Sequence, residues 1–126
     1  MITRLSAQLF VGDIQASCDF FTRKLGFAVA FVHGDPPFYG QVVRGEARID
    51  LRSVWEPVFA GDIREREHLL SASMNVATAA QLVQLFNEFT MAGVVFHQTL
   101  KIEPWGARTF VVRDPDGNLL LFAGPV

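Results

Sequence analysis

The chain has one cysteine, one tyrosine and three histidines among its 126 residues, and each shortage excludes something. Cys18 alone cannot close an internal disulfide, so a disulfide-stapled secreted scaffold is ruled out. No apolar run approaches the roughly 20 residues a bilayer span needs, and Met1-Ile2-Thr3-Arg4 lacks the apolar stretch of a signal peptide. The expectation is a soluble cytoplasmic domain with no membrane partner. Charge of one sign is also missing. Eleven Lys and Arg face 13 Asp and Glu, a net charge of −2 with no basic stripe, which speaks against nucleic acid as a partner. Gly-rich phosphate loops, a Gly-x-Ser-x-Gly elbow and paired-Cys zinc motifs are all lacking. What is abundant is phenylalanine, 12 residues against the single tyrosine. Phenylalanine either fills a core or lines an apolar groove.

The chain reads as one module written twice. Leu5, Ala7, Leu9 and Val11 alternate with polar Ser6 and Gln8, a half-buried strand. Asp13 is placed to cap a helix whose stripe is Ile14, Cys18, Phe21 and Leu25, closed by Gly26. Cys18 on that stripe is core rather than nucleophile. Strands are predicted at Phe27–Val32, Gly40–Arg44 and Ala47–Ser53, with a loop over Gly34-Asp35-Pro36-Pro37. Residues 55–67, with Pro57, Gly61 and the run Asp62-Ile63-Arg64-Glu65-Arg66-Glu67, read as an exposed linker with a solvated charged face. The order then repeats: a strand from Leu70 to Val76, a helix from about Thr78 to Gly93, and strands at Val94–Gln98, Arg108–Arg113 and Asn118–Ala123. A 65-residue offset carries Leu5-Ser6-Ala7 onto Leu70-Ser71-Ala72, Val11 onto Val76 and Phe21 onto Phe86. The prediction is an α+β domain of two tandem βαβββ modules, about 1–54 and 68–126.

Two stretches carry a resemblance. Val11-Gly12-Asp13-Ile14, Phe20-Phe21 and Leu25-Gly26-Phe27 resemble the opening of glyoxalase and bleomycin-resistance modules. Pro104-Trp105-Gly106, then Phe110-Val111-Val112-Arg113-Asp114-Pro115-Asp116-Gly117-Asn118, resemble their closing hairpin. The chain is identified on these residues as similar to the vicinal oxygen chelate superfamily, and within it most like bleomycin-resistance proteins. The resemblance implies a curved mixed sheet around a groove, helices on the outer face, and a homodimer. It also implies one of two chemistries: a four-ligand divalent metal centre in the enzymes, or metal-free sequestration of a ligand.

Matched to the family, the four ligand positions fall on Ser6, Asp50, Ser71 and Leu121. Only Asp50 suits a hard cation, and transition metals need imidazole or several carboxylates. His33, His68 and His97 share no helical or strand spacing that converges on a metal, and read as surface or loop residues. No metal and no cofactor are therefore expected. Asp50, between Arg48 and Arg52, reads as a salt-bridge partner rather than a base.

Strand alternation assigns Leu5, Ala7, Leu9, Ala47, Ile49, Leu51, Leu70, Ala72, Met74, Leu120 and Phe122 to a packed face. The opposite face carries Ser6, Gln8, Phe10, Arg48, Asp50, Arg52, Ser71, Ser73, Asn75, Leu119 and Leu121. That pattern fits a ligand groove or a bare solvent face, and the resemblance favours the groove. Phe38, Tyr39, Trp55, Phe59 and Trp105 lie in or beside predicted loops, where aromatics either cover a core edge or stack on a ligand. The resemblance places an aromatic near Phe38, and Trp105, close to the ligand; Trp105 could equally anchor its hairpin. The chain also departs from these relatives. Ser73 and Asn75 stand where they carry large aromatics, and Arg48 and Arg52 where their surface is acidic, so bleomycin itself is a poor fit. The expected function is metal-independent binding and sequestration of an antibiotic-like small molecule. Phe10, Phe38, Trp55 and Trp105 supply apolar or stacking surface, and Gln8, Asp50, Arg52, Ser73 and Asn75 supply polar contacts. The alternative is a metal-dependent lyase, isomerase or dioxygenase of the same superfamily with an altered metal site.

Overall fold

A computed structural model describes residues 1–126. It divides into two units, Met1–Gly61 and Asp62–Val126. In the first, strand β1 covers Ala7–Val11 and helix α1 Ile14–Arg23. The helix starts where Asp13 takes an extended conformation and its carboxylate accepts the Ala16 N–H at 3.0 Å. It ends before Gly26, whose φ of 70° is the left-handed turn that glycine adopts without a Cβ clash. Strands β2 (Ala28–Gly34), β3 (Pro37–Arg44) and β4 (Ala47–Ser53) follow. They form an antiparallel meander, and β1 adds parallel to β4, giving the order β1-β4-β3-β2.

The second unit repeats the plan: α2 (Ile63–Arg66), β5 (Leu70–Asn75), α3 (Ala79–Met91), β6 (Phe96–Ile102), β7 (Ala107–Arg113) and β8 (Leu119–Pro125). Its order is β5-β8-β7-β6, with β5 parallel to β8. Thr78 and Gln81 form a capping box at α3, each side chain taking the other's backbone N–H at 3.1 and 3.2 Å. The predicted α+β class and the tandem βαβββ order are both present, as two four-stranded mixed sheets.

Each unit buries one sheet face together with the apolar stripe of its own long helix. In the first, Leu9, Val11, Ile14, Phe21, Leu25, Val42, Ile49 and Leu51 are all within 2 % of complete burial. In the second, Leu82, Phe89, Phe110, Leu120 and Phe122 are buried, and the rings of Phe86, Phe89, Phe96, Phe110 and Phe122 meet in pairs 4.8–5.9 Å apart. Most of the phenylalanine surplus is core, and a ring without a hydroxyl needs no buried hydrogen-bond partner there. No helix is long and apolar enough to cross a membrane.

The structure corrects four local expectations. Leu5 is 85 % exposed, because β1 starts two residues later and Leu5 has no sheet to pack against. Leu70 is also exposed, and its pairing with Leu119 puts it on the Leu121 side of the sheet, the reverse of its predicted face. A register shift between Leu70 and Ala72 puts an extra residue on β5, and beyond such a bulge simple alternation fails. The predicted loop at Gly34–Pro37 is a tight hairpin with a cis Asp35–Pro36 bond; Pro37 opens β3, a strand position where its missing N–H is tolerated. The charged run of the predicted linker is not wholly a solvated face. Arg64 donates to Asn118 Oδ1 at 2.8 Å and to the Asp116 carbonyl at 2.6 Å, and Glu65 pairs with Arg113.

Candidate functional site

Opposite the α1 side, the first sheet presents two cross-strand rows. One runs Gln8, Asp50, Gln41, Phe31 and the other Phe10, Arg52, Tyr39, His33, each a chain of paired residues across β1, β4, β3 and β2. Neighbours in such a row stand close enough for their side chains to interact. Gln41 is buried, and its Nε2 donates to Asp50 Oδ1 at 2.8 Å. The Tyr39 hydroxyl is hydrogen-bonded to the same carboxylate; partial burial and then the Asp50 charge push the phenol above its ordinary range. The expected salt bridge of Asp50 with its flanking arginines is therefore replaced by two neutral donors from β3. Phe31, His33 and Tyr39 form an aromatic cluster. Phe31 lies 5.0 Å from His33 and 5.6 Å from Tyr39, and the His33 and Tyr39 planes are 4° from parallel.

These two rows hold Gln8, Phe10, Asp50 and Arg52 from the sequence prediction and add Phe31, His33, Tyr39 and Gln41, which it did not select as ligand-binding. A bulge in β2 explains part of the omission. Val29 pairs with Val42 but Phe31 with Gln41, so Ala30 is extra and Phe31 shares a face with Ala28 rather than Val29. The alternation of aromatics on β3 was visible only once that strand began at Pro37.

Phe38 and Trp55 lie at one end of the same unit. They line a cleft of about 390 Å³ with Gly12, Asp13, Pro37 and Val54. Phe38 is 58 % exposed and Trp55 wholly so, and neither covers a core edge. Gly34, at φ 100°, has no room for a Cβ because the Phe38 ring occupies that space, so the hairpin glycine sets where the ring lies.

In the second unit Ser73 and Asn75 are exposed on β5, opposite Leu121 and Ala123 of β8. Their rows continue to Val111 and Gln98, and to Thr109 and Lys101. Polar groups here satisfy one another. Gln98 Nε2 donates to Thr109 Oγ1 at 3.0 Å, Thr109 donates to Glu103 at 2.9 Å, and Lys101 lies 3.6 Å from Glu103. Trp105 sits in the β6–β7 turn and is 74 % exposed. Backbone bonds between Glu103 and Ala107 and between Gly106 and Glu103 close that turn, so the tryptophan does not anchor it.

The four positions matched to a metal centre do not supply a fitting donor set. Asp50 is held by Gln41 and Tyr39, the Ser71 hydroxyl lies 3.4 Å from Asn118 Oδ1, Ser6 offers a neutral hydroxyl, and Leu121 offers nothing. No three His, Cys, Asp or Glu side chains gather elsewhere. The histidines do hold one surprise. His68 Nδ1 and His97 Nε2 are 2.8 Å apart, although their sequence spacing gave no reason to pair them. The α2 segment brings His68, at a left-handed φ of 54°, to the start of β6. Two imidazoles without a third ligand are a hydrogen-bonded pair. Cys18 is buried, and burial followed by the Asp19 charge raises its thiol, as expected of a core residue.

Comparison with known proteins agrees with this architecture. Over 124 residues the chain is 31 % identical to a bleomycin resistance protein of Geobacillus stearothermophilus, covering 89 % of both chains. Among solved structures it is similar to TioX from Micromonospora sp. ML1, with a TM-score of 0.74 and 22 % identity over 98 % of this chain and 99 % of that one. It is also similar to the bleomycin-binding protein of bleomycin-producing Streptomyces verticillus complexed with copper(II)-bleomycin, with a TM-score of 0.71 and 22 % identity over the whole of both chains. With residues 3–122 matching it, the chain belongs to the glyoxalase/bleomycin resistance protein/dioxygenase superfamily.

Proposed function

We propose that the chain is a metal-independent binding protein that sequesters an antibiotic-like small molecule, acting as a homodimer in the cytoplasm. The observation that carries this reading is the cleft of about 390 Å³ in the first unit, with Phe38 and Trp55 at its edge. A cavity of that size accommodates a small molecule, and exposed rings stack on a planar one. Relatives named for bleomycin resistance and bleomycin binding support a binding role over a catalytic one. The engagement of Asp50 and the apolar Leu121 speak for metal independence. Met1, Ile2 and Leu5 are exposed apolar residues in the single chain, which supports a second copy covering them.

The test uses untagged protein dialysed against a chelator. It is screened by thermal shift against a panel of aromatic antibiotics that includes bleomycin, with tryptophan fluorescence as a second readout. The expected result is a hit that raises the unfolding midpoint of metal-depleted protein, since ligand at a hundred times its Kd stabilises by about 2.7 kcal/mol. A stoichiometric transition metal retained through Asp50, a hit that appears only when metal is restored, or no hit in the panel would refute the reading. Sedimentation at micromolar concentration tests the dimer, and a monomer refutes that part.

A further inference from the structure

Strand β4 sets Arg48, Asp50 and Arg52 at alternate positions, so all three share one face. Their surroundings differ. Asp50 is occupied by Gln41 and Tyr39. Arg48 lines a separate hollow of about 570 Å³ with Arg4 and Glu46. Arg52 is exposed and makes no ion pair or side-chain hydrogen bond. It stands in register between Phe10 and Tyr39, and His33 is the next residue along the row. The Phe31, His33 and Tyr39 ring cluster therefore lies beside an unpaired guanidinium. The corresponding row of the second unit, Asn75, Ala123, Thr109 and Lys101, has its cation and hydroxyl tied to Glu103.

We propose that the ligand of this face is a planar aromatic molecule bearing an acidic group, its ring laid on Phe31, His33 and Tyr39 and its anion held by Arg52. The proposal rests on the small-molecule reading above and assigns a ligand class to a face separate from the Phe38 and Trp55 cleft, which Ile14 and Gln15 of α1 help to line. A guanidinium presents a planar fork of donors that matches a carboxylate or sulfonate two bonds at a time. Aromatic faces accept a ring in stacked or edge-on contact. Asp50 stands in the neighbouring row with Gln41 donating to it at 2.8 Å, and Arg52 is the charged group in the row of Tyr39 and His33. A cationic ligand laid on the His33 and Tyr39 rings would meet Arg52 as a like charge in the same row.

Three probes of one skeleton separate charge from shape: 2-naphthoate, 2-naphthamide and 2-naphthylmethylammonium, titrated calorimetrically. Wild type is expected to bind the naphthoate at least about tenfold tighter than the ammonium compound, with the amide between them, the size of one charge-assisted contact. Arg52→Gln should bring naphthoate down to the affinity of the amide. Arg52→Glu should invert the order. Phe31→Ala should weaken all three alike, and Arg23→Gln, on the exposed side of α1, should change nothing. Thermal melts confirm that each variant folds. If the ammonium probe binds as well as naphthoate, or if Arg52→Gln keeps the full preference, the ligand class is wrong while the small-molecule reading stands. If no naphthalene probe binds but an antibiotic in the panel does, the class is again wrong and binding survives. If nothing binds in either experiment, both fall.

Discussion

Arg64 and Arg66 lie on the same single-turn helix and carry the same charge, yet their removal should have unequal effects. Arg64 donates to Asn118 Oδ1 at 2.8 Å and to the Asp116 carbonyl at 2.6 Å, both part-buried, and so ties α2 to the β7–β8 turn. Arg66 has only an exposed partner, Asp62, at 3.7 Å. Hydrogen bonds from a charged donor contribute about 1.5–3 kcal/mol each when well sheltered. Discounting both for partial exposure leaves about 2 kcal/mol for Arg64→Ala. An exposed i,i+4 pair is worth about 0.3–0.5 kcal/mol, the most that Arg66→Ala should remove. Urea unfolding followed by circular dichroism measures both, and for a chain of this size 2 kcal/mol lowers the thermal midpoint by roughly 8 °C. The two variants should separate by at least 1 kcal/mol with unchanged m-values, by order-of-magnitude reckoning from these terms. Equal losses would mean that the Arg64 contacts contribute no more than a solvated ion pair, and the claim that α2 is fastened to its sheet would fail.

Three further outcomes follow from the same geometry. Thr78→Ala removes the acceptor of the Gln81 N–H at the start of α3 and should destabilise by about 1 kcal/mol in the same assay; an effect below a few tenths would deny the capping box a role. Burial is the largest influence on Asp114 and raises its carboxyl above the ordinary range, against the hydrogen bonds from Asn118 that lower it. The folded state then holds its proton more tightly than the unfolded one. Wild-type stability from this group is therefore fullest at low pH and declines as pH rises from the ordinary carboxylate value, about 4, through the folded one. The stability difference between wild type and Asp114→Asn should narrow across that window, and a constant or widening gap would contradict the assignment. Phe38→Ala and Trp55→Ala should each weaken a hit from the antibiotic panel by about two- to tenfold, the worth of one stacked ring. Full affinity in both variants would remove the cleft from the binding site.

The sequence revealed the duplication and the packed faces because both are written in short-range periodicity. Ile14, Cys18, Phe21 and Leu25 sit at helical spacing and all are buried. Gly26 and Gly93 close the two long helices, as their positions predicted, at φ values of 70° and 77°. What escaped depends on register rather than on pattern. One extra residue near Ser71 moves Leu70 onto the face of Leu119 and Leu121, and one at Ala30 brings Phe31 beside Gln41. Neither bulge has a composition of its own. The Arg64 anchor and the His68–His97 pair join residues 54 and 29 positions apart, and nothing local marks them. Asp50 shows the limit most clearly. Two arginines flank it in sequence, but strand geometry sets i and i+2 side chains parallel, while the cross-strand Gln41 is directly opposite.

Duplication also lets the two units differ on the faces turned away from their helices. The row Gln8, Asp50, Gln41, Phe31 has Ser73, Leu121, Val111, Gln98 as its counterpart in the second unit. The helix-packed faces of both units stay apolar, since each must bury the stripe of its own helix. No such requirement binds the opposite faces. In the second unit the polar side chains Gln98, Thr109, Lys101 and Glu103 engage one another. In the first, Arg52 has no such partner, and the aromatic rings beside it come from β2 and β3. A network of satisfied groups holds its own fold in place, whereas an unpaired cation beside aromatic rings leaves charge and stacking surface open to a ligand. On that physical ground the first unit is where variants should alter binding, and Ser73 or Asn75 substitutions should alter it less than changes at Arg52 or Phe31.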